Sequence, residues 1–147
     1  MFLADTNAIS ELRKGTKADP GVIRLFLRAE QEIFLPVQAL GEMRQDIENL
    51  NYRGDFPQAR KLEAWFQSVL KVYSARIIGF DTVCAEKWGA LMSPNNQNPV
   101  DRQIAAIALV YDLTVVTRNM DDFAGTGVRL LNPFLCDRTP AAPPASH

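Results

Sequence analysis

Short apolar runs alternate with helical segments along most of the chain, and this alternation restricts the fold more than any other feature. The runs, which we predict to be strands, lie at residues 2–4, 33–35, 77–80, 113–116 and 128–131. Between them apolar residues recur at helical spacing, as Val22, Leu25 and Phe26 do. Strands that are apolar throughout and separated by helices are typical of parallel sheets. The sequence therefore predicts an α/β fold in which a short parallel β-sheet is flanked by helices on both faces.

Several predicted helices have recognisable start signals. Thr6 or Asn7 is expected to cap the first short helix, and Asp81 to cap a later one. Asp19 and Asn98 each precede a proline, which is favoured at the first helical position. These signals place helix starts close to several predicted strand ends.

The chain has the length and apolar content of one domain, with 147 residues of which 47% are hydrophobic. We expect residues 1–134 to form this domain and the proline- and alanine-rich residues 135–147 to be a disordered tail. No apolar run approaches the roughly 20 residues that span a bilayer. Asp5 comes too early for a signal-peptide core. We therefore expect a cytoplasmic protein without membrane association.

The composition excludes several kinds of active site. The only histidine is His147, in the predicted tail, so neither a histidine general base nor a catalytic triad is expected. Cys84 and Cys136 form no C-x-x-C pair, which argues against a zinc site or a disulfide framework. The net charge of −1 argues against binding nucleic acid through a global basic field. The chemistry should therefore rest on carboxylates, a cysteine, a lysine or a metal ion.

Acidic side chains stand where predicted strands end. Asp5 follows the first strand directly, and Asp121 and Asp122 come shortly after the strand at 113–116. Asp101 lies in the first turn of the preceding helix, and Glu42 lies about one turn into the helix that begins near residue 38. Ligands of parallel sheets bind just beyond the carboxyl ends of the strands. We therefore expect Asp5, Glu42, Asp101 and Asp122 to converge at one edge of the sheet.

Clustered carboxylates repel one another and raise each other's pKa values. A Mg²⁺ or Mn²⁺ ion removes this repulsion and prefers hard oxygen ligands. Such an ion also polarises a phosphoryl oxygen and lowers the pKa of bound water, which requires no histidine. Phosphodiester hydrolysis is the reaction that best suits this arrangement.

Each acid also has a purely structural interpretation. Asp5 can cap a helix, and Asp101 can interact favourably with a helix dipole. Glu42 can be a solvated helix acid, although no basic residue lies three or four positions away from it. The pair Asp121-Asp122 can form a polar turn. The joint placement of the acids at strand ends is what favours a shared site.

Four segments that carry these acids resemble the motifs of PIN domains. They are residues 2–11 (FLADTNAISE), 35–44 (LPVQALGEMR), 99–108 (PVDRQIAAIA) and 115–123 (VVTRNMDDF). Any one motif is weak evidence, but four in the same order are fairly specific. The chain looks most like the toxin ribonucleases of bacterial VapBC and FitAB toxin–antitoxin pairs.

The resemblance implies Mg²⁺- or Mn²⁺-dependent endonuclease action on RNA. By position in the motifs, the acidic quartet corresponds to Asp5, Glu42, Asp101 and Asp122. Asp5 and Asp101 would be the surest metal ligands. Supporting residues would be Thr117, Asn119 and Asn7, with Thr117 and Asn119 ordering the site through hydrogen bonds. Asp122 directly precedes phenylalanine, as the motif requires, but the adjacent Asp121 leaves the choice between the two acids open.

The resemblance also implies partners. Proteins of this kind form homodimers, and a small antitoxin protein holds them inactive by covering the acidic groove. The antitoxin binds operator DNA, so DNA binding would belong to the complex and not to this chain alone.

Two other functions remain open on the sequence. One is a PIN scaffold that binds a partner without cutting RNA. The other is a different α/β phosphate hydrolase, such as a haloacid-dehalogenase-type phosphatase, but its D-x-D motif would require an aspartate where this chain has Asn7.

Overall fold

Five short strands form one sheet in the order β3-β2-β1-β4-β5. In the computed structural model, which describes residues 1–137, the strands are Phe2–Ala4 (β1), Ile33–Pro36 (β2), Ile77–Ile78 (β3), Thr114–Val116 (β4) and Leu130–Leu131 (β5). Every neighbouring pair is parallel. The predicted parallel sheet is therefore confirmed, although three strands are shorter than the apolar runs that predicted them.

Six helices connect and cover the strands. They are Thr6–Glu11 (α1), Pro20–Arg28 (α2), Val37–Tyr52 (α3), Phe56–Val72 (α4), Thr82–Leu91 (α5) and Pro99–Tyr111 (α6). Short 3₁₀ segments lie at Leu12–Lys17, Glu30–Glu32, Met120–Phe123 and Leu135–Asp137. Across residues 1–137, none of the helices is both long enough and apolar enough to cross a membrane.

The two faces of the sheet bury two separate cores, because successive residues of a strand point to opposite faces. Ala4 and Val116 pack with apolar residues of α1 to α4 on one face. Leu3 and Val115 pack with α5 and α6 on the other, where Cys84 is fully buried. This arrangement agrees with the prediction of helices on both faces.

Of the four helices with a predicted capping side chain, two have the predicted hydrogen bond. Asp19 accepts a hydrogen bond from the Gly21 N–H (2.8 Å), and Asp81 accepts one from the Cys84 N–H (2.9 Å), as predicted. Asp5, and not Thr6 or Asn7, caps α1. Asn98 stands at the N-cap position of α6 with Pro99 directly after it, as predicted, but its backbone is left-handed (φ 52°) and its side chain makes no cap bond.

After β5 the chain returns to the start of α2. The carboxylate of Asp19 accepts hydrogen bonds from the N–H groups of Leu135 and Cys136, both at 2.9 Å. Leu135–Asp137, which we predicted to begin the tail, is therefore a 3₁₀ turn packed against α2. The rest of the predicted tail, residues 138–147 with His147, lies outside the described residues.

Candidate active site

The acids of interest lie at the point where the strand order reverses. From the central strand β1 the chain builds outward through β2 and β3, then returns to pair β4 with the other edge of β1. Such a switch point leaves a crevice at the carboxyl ends of the two central strands, where α/β proteins bind ligands. Asp5 follows β1 and Thr117 follows β4, so both stand at this crevice.

Asp5 is held in a fixed orientation by three hydrogen bonds. Its Oδ1 accepts from the Thr6 N–H (2.8 Å), and its Oδ2 accepts from the Thr117 hydroxyl (3.0 Å) and the Asn7 amide (3.3 Å). The residue is only 5% exposed. Burial raises the pKa of Asp5, the negative charge of Asp122 raises it further, and the hydrogen bonds partly oppose this rise.

Thr117 and Asn7 link this carboxylate to the loop after β4. The Thr117 hydroxyl oxygen accepts hydrogen bonds from the Asn7 amide (3.2 Å) and from the main-chain N–H of Asn119 (3.1 Å). The amide oxygen of Asn7 accepts from the Arg118 N–H at 2.9 Å. Thr117 and Asn7 thus make the kind of contact expected of them, whereas Asn119 contributes its main chain.

Glu42, on the second turn of α3, reaches the same crevice. Its Oε1 accepts a hydrogen bond from the hydroxyl of Thr6 at 2.8 Å. Desolvation raises the pKa of Glu42, and the charges of Asp5 and Asp46 raise it further. The local sequence around Thr6 predicts only a helix cap. Its position directly after Asp5 at a strand end is the signal that could have indicated a site residue.

Asp101 lies in the first turn of α6 and is half-buried. Burial, followed by the charges of Asp5, Asp122 and Glu42, raises its pKa to about 6. All four predicted acids are thus close enough for their charges to interact. The sheet order brings them together from four separate segments of the chain.

The two adjacent aspartates differ in their surroundings. Asp122 is half-buried, and its charge raises the pKa of both Asp5 and Asp101. Asp121 is exposed and is not among the charges that raise either pKa. Of the pair, Asp122 is the one that faces the cluster.

The donor chemistry of the cluster fits a hard divalent cation. Carboxylate oxygens are preferred ligands of Mg²⁺ and Mn²⁺. The raised pKa values of Asp5, Glu42 and Asp101 reflect burial first and the charges of neighbouring acids second, and a cation would relieve this repulsion. As they stand in residues 1–137, no three acidic, cysteine or histidine side chains are arranged to enclose an ion. Mg²⁺ usually keeps several waters and binds one or two carboxylates together with substrate phosphates, so an open acidic crevice suits it.

The PIN domain family model matches residues 2–128 of the chain, a range that contains all four acids. Toxin FitB of Neisseria gonorrhoeae is 29% identical over 140 residues, covering 91% of this chain and 99% of that protein. VapC ribonuclease Y4jK of Sinorhizobium fredii is 24% identical over 144 residues, covering 91% and 98% respectively.

A solved structure of FitAB bound to an IR36 DNA fragment contains a similar chain. The TM-score is 0.72 at 28% sequence identity, covering 90% of this chain and 95% of that chain. The order of strands and helices that forms the acidic crevice is therefore shared with a protein of known structure.

Proposed function

The chain belongs to the PIN-domain family, and on this premise we propose that it is a divalent-metal-dependent endoribonuclease that acts as the toxin of a type II toxin–antitoxin pair. The names of the relatives, a toxin and a VapC ribonuclease, support the role and the reaction. The observation that carries the proposal is the convergence of Asp5, Glu42 and Asp122 on Asp101, whose pKa they help to raise.

The four acids take different roles in this proposal. Asp5 and Asp101 would hold Mg²⁺ or Mn²⁺, while Asp122 and Glu42 would complete the ligand shell or position the attacking water. A bound ion would supply polarisation of a phosphoryl oxygen of RNA and a lowered pKa of a bound water. Thr117 and Asn7 fix the rotamer of Asp5, and the Thr6 hydroxyl fixes Glu42, so that these carboxylates are oriented in advance.

The proposed partners are an RNA substrate, a second copy of the chain in a homodimer, and an antitoxin protein. Operator DNA would be bound only by the toxin–antitoxin complex. The solved structure of FitAB with DNA supports this part of the proposal, since its similar chain occurs in such a complex.

The direct test is cleavage of RNA by the purified chain. We expect cleavage in Mg²⁺ or Mn²⁺, its loss in excess EDTA and its recovery when the ion is restored, because the carboxylates alone provide no electrophile. The products are resolved by denaturing gel electrophoresis. A preparation that binds RNA but never cuts it, with either ion, would favour the non-catalytic binding module. Cleavage of small phosphate esters in place of RNA would favour the other phosphate hydrolase.

The adjacent aspartates provide a second, matched test. We expect Asp122→Asn to lower kcat/KM for RNA about 10–100-fold, since it removes a carboxylate that faces the cluster. Asp121→Asn makes the same charge change one residue earlier, at an exposed position, and should leave kcat/KM within about threefold. Initial rates in Mg²⁺ measure both. The reverse result would assign the functional acid to position 121.

A further inference from the structure

Arg118 directly follows Thr117, and its guanidinium contacts the segment that follows β5. Its Nη2 donates to Oδ1 of Asp137 at 2.8 Å, and its Nε donates to Oδ2 of the same carboxylate at 3.0 Å. The guanidinium carbon lies 4.8 Å from the centre of the Phe134 ring. Arg118 is thus held flat, with its donor edge occupied by one carboxylate.

Two observations connect Arg118 to the proposed catalytic acids. The main-chain N–H of Arg118 bonds to Asn7, whose amide donates to Asp5. In addition, Arg118 and Asp122 line one polar cavity of about 320 Å³. A group that fills this cavity would contact both the arginine and an acid of the cluster.

Three arginines lie inside the four acidic motif segments, and two of them are engaged elsewhere. Arg44 pairs with Glu63 on α4 through two hydrogen bonds of 2.9 and 3.0 Å. Arg102 donates to the main-chain oxygen of Leu91. The partner of Arg118 is instead Asp137, on the 3₁₀ turn that follows β5.

A guanidinium group that binds a carboxylate through two parallel hydrogen bonds can bind a phosphate through the same two donors. RNA that approaches an acidic crevice needs cations that contact its phosphates. We propose that Arg118 binds an RNA phosphate next to the one that is cut, and that Asp137 occupies the guanidinium when RNA is absent. The ion pair is solvent-accessible, with side chains 44% and 27% exposed, so its exchange for phosphate costs little free energy. This inference rests on the proposed function.

The test measures binding of a short fluorescein-labelled single-stranded RNA by fluorescence anisotropy. The full chain carries Asp101→Asn to prevent cleavage, and Mg²⁺ is present. Arg118→Gln should raise Kd about tenfold and reduce the slope of log Kd against log salt by about 0.7, the value for one phosphate contact with a single strand. Asp137→Asn should lower Kd by up to about fivefold, because it frees the guanidinium.

A double-mutant cycle separates this effect from a general change of charge. In the Arg118→Gln background, Asp137→Asn should leave Kd unchanged. A matched control removes another surface ion pair, that of Arg129 with Asp112. These residues precede β5 and β4 and therefore lie at the opposite end of the sheet. Arg129→Gln and Asp112→Asn should each leave Kd within about twofold.

Arg118→Gln is expected to raise Kd and Asp137→Asn to lower it. These opposite changes in Kd would exclude a merely structural role of the ion pair. If the pair only tied down residues 135–137, both substitutions would weaken binding or neither would change it, and the inference would be overturned. An equal decrease in Kd from Asp137→Asn with Arg118 present and with Arg118→Gln would also overturn the inference. Cleavage of the same RNA by the unaltered chain is measured in parallel: absence of cleavage defeats the proposed function, whereas cleavage with an unchanged Kd for Arg118→Gln defeats only this inference.

Discussion

Replacing Asp101 with asparagine is expected to lower RNA cleavage about 10³-fold or more and, at the same time, to stabilise the folded chain in metal-free buffer. The loss of activity follows from the removal of a proposed metal ligand. The gain in stability follows because burial and three neighbouring acids disfavour the ionised form of Asp101 and raise its pKa to about 6. An asparagine keeps the shape and removes the charge.

The size and pH dependence of the gain follow from this pKa. In the unfolded chain the carboxyl titrates near its ordinary pKa of 3.8, so above pH 6 the folded state carries a charge that it disfavours. Solvent screens the charge at this half-buried position, so we expect Asp101→Asn to increase the free energy of unfolding by about 1–2 kcal/mol at pH 7.5. The gain should shrink as the pH falls from 6 towards 4, because the wild-type carboxyl then becomes protonated.

Urea unfolding and initial cleavage rates, measured on the same preparations, check both effects. Asp112→Asn serves as the control, since this acid is highly exposed and lies before β4, away from the crevice. It should change the free energy of unfolding by less than about 0.5 kcal/mol. An Asp101→Asn protein that cuts RNA at the wild-type rate, or that is less stable than wild type at pH 7.5, would contradict the prediction.

Replacing Gly21 with alanine is expected to destabilise the chain by about 3 kcal/mol. A Cβ atom at this position would collide with the main-chain oxygen of Pro133 and would lie 2.8 Å from Cγ of Leu135. The collision with a main-chain atom forces α2 and residues 133–135 apart. The same movement disturbs the bonds from Leu135 and Cys136 to Asp19.

Gly89 provides the matched comparison. It also lies in a helix, α5, but nothing would stand within 4 Å of an added Cβ. Gly89→Ala should therefore stabilise the chain by about 0.5–1 kcal/mol, because alanine loses less backbone entropy than glycine in a helix. Equilibrium urea unfolding of the two variants gives the difference. Equal stabilities would show that α2 and the segment after β5 do not pack as described.

The fold was predictable because its signals are local and repeated. Fully apolar strand segments and helical periodicity are visible in short stretches of sequence, and together they indicate a parallel sheet with two covered faces. Strand lengths were overestimated at 77–80, where only Ile77–Ile78 pairs with β2. Apolar character shows that a segment is buried, but pairing depends on how far the neighbouring strand extends.

The convergence of the acids was predicted from a general rule, but its details depend on long-range pairing. Thr117 reaches Asp5 because β4 pairs with β1, and no local pattern encodes that choice of neighbour. The contact of Thr6 with Glu42 likewise depends on the packing of α1 against α3. At Asn98 a local signal fails, because the left-handed backbone prevents the capping hydrogen bond that this side chain usually makes.

The pairing of β1 with β4 also determines when, during synthesis, an acidic crevice can exist. The hydroxyl that orients Asp5 belongs to Thr117, which is synthesised 112 residues later. A prematurely terminated polypeptide that stops before β4 contains Asp5 and Glu42 but not the strand that completes the centre of the sheet. Such a truncated product would lack the hydroxyl that orients Asp5, so that any activity built on these acids would require translation to have passed β4.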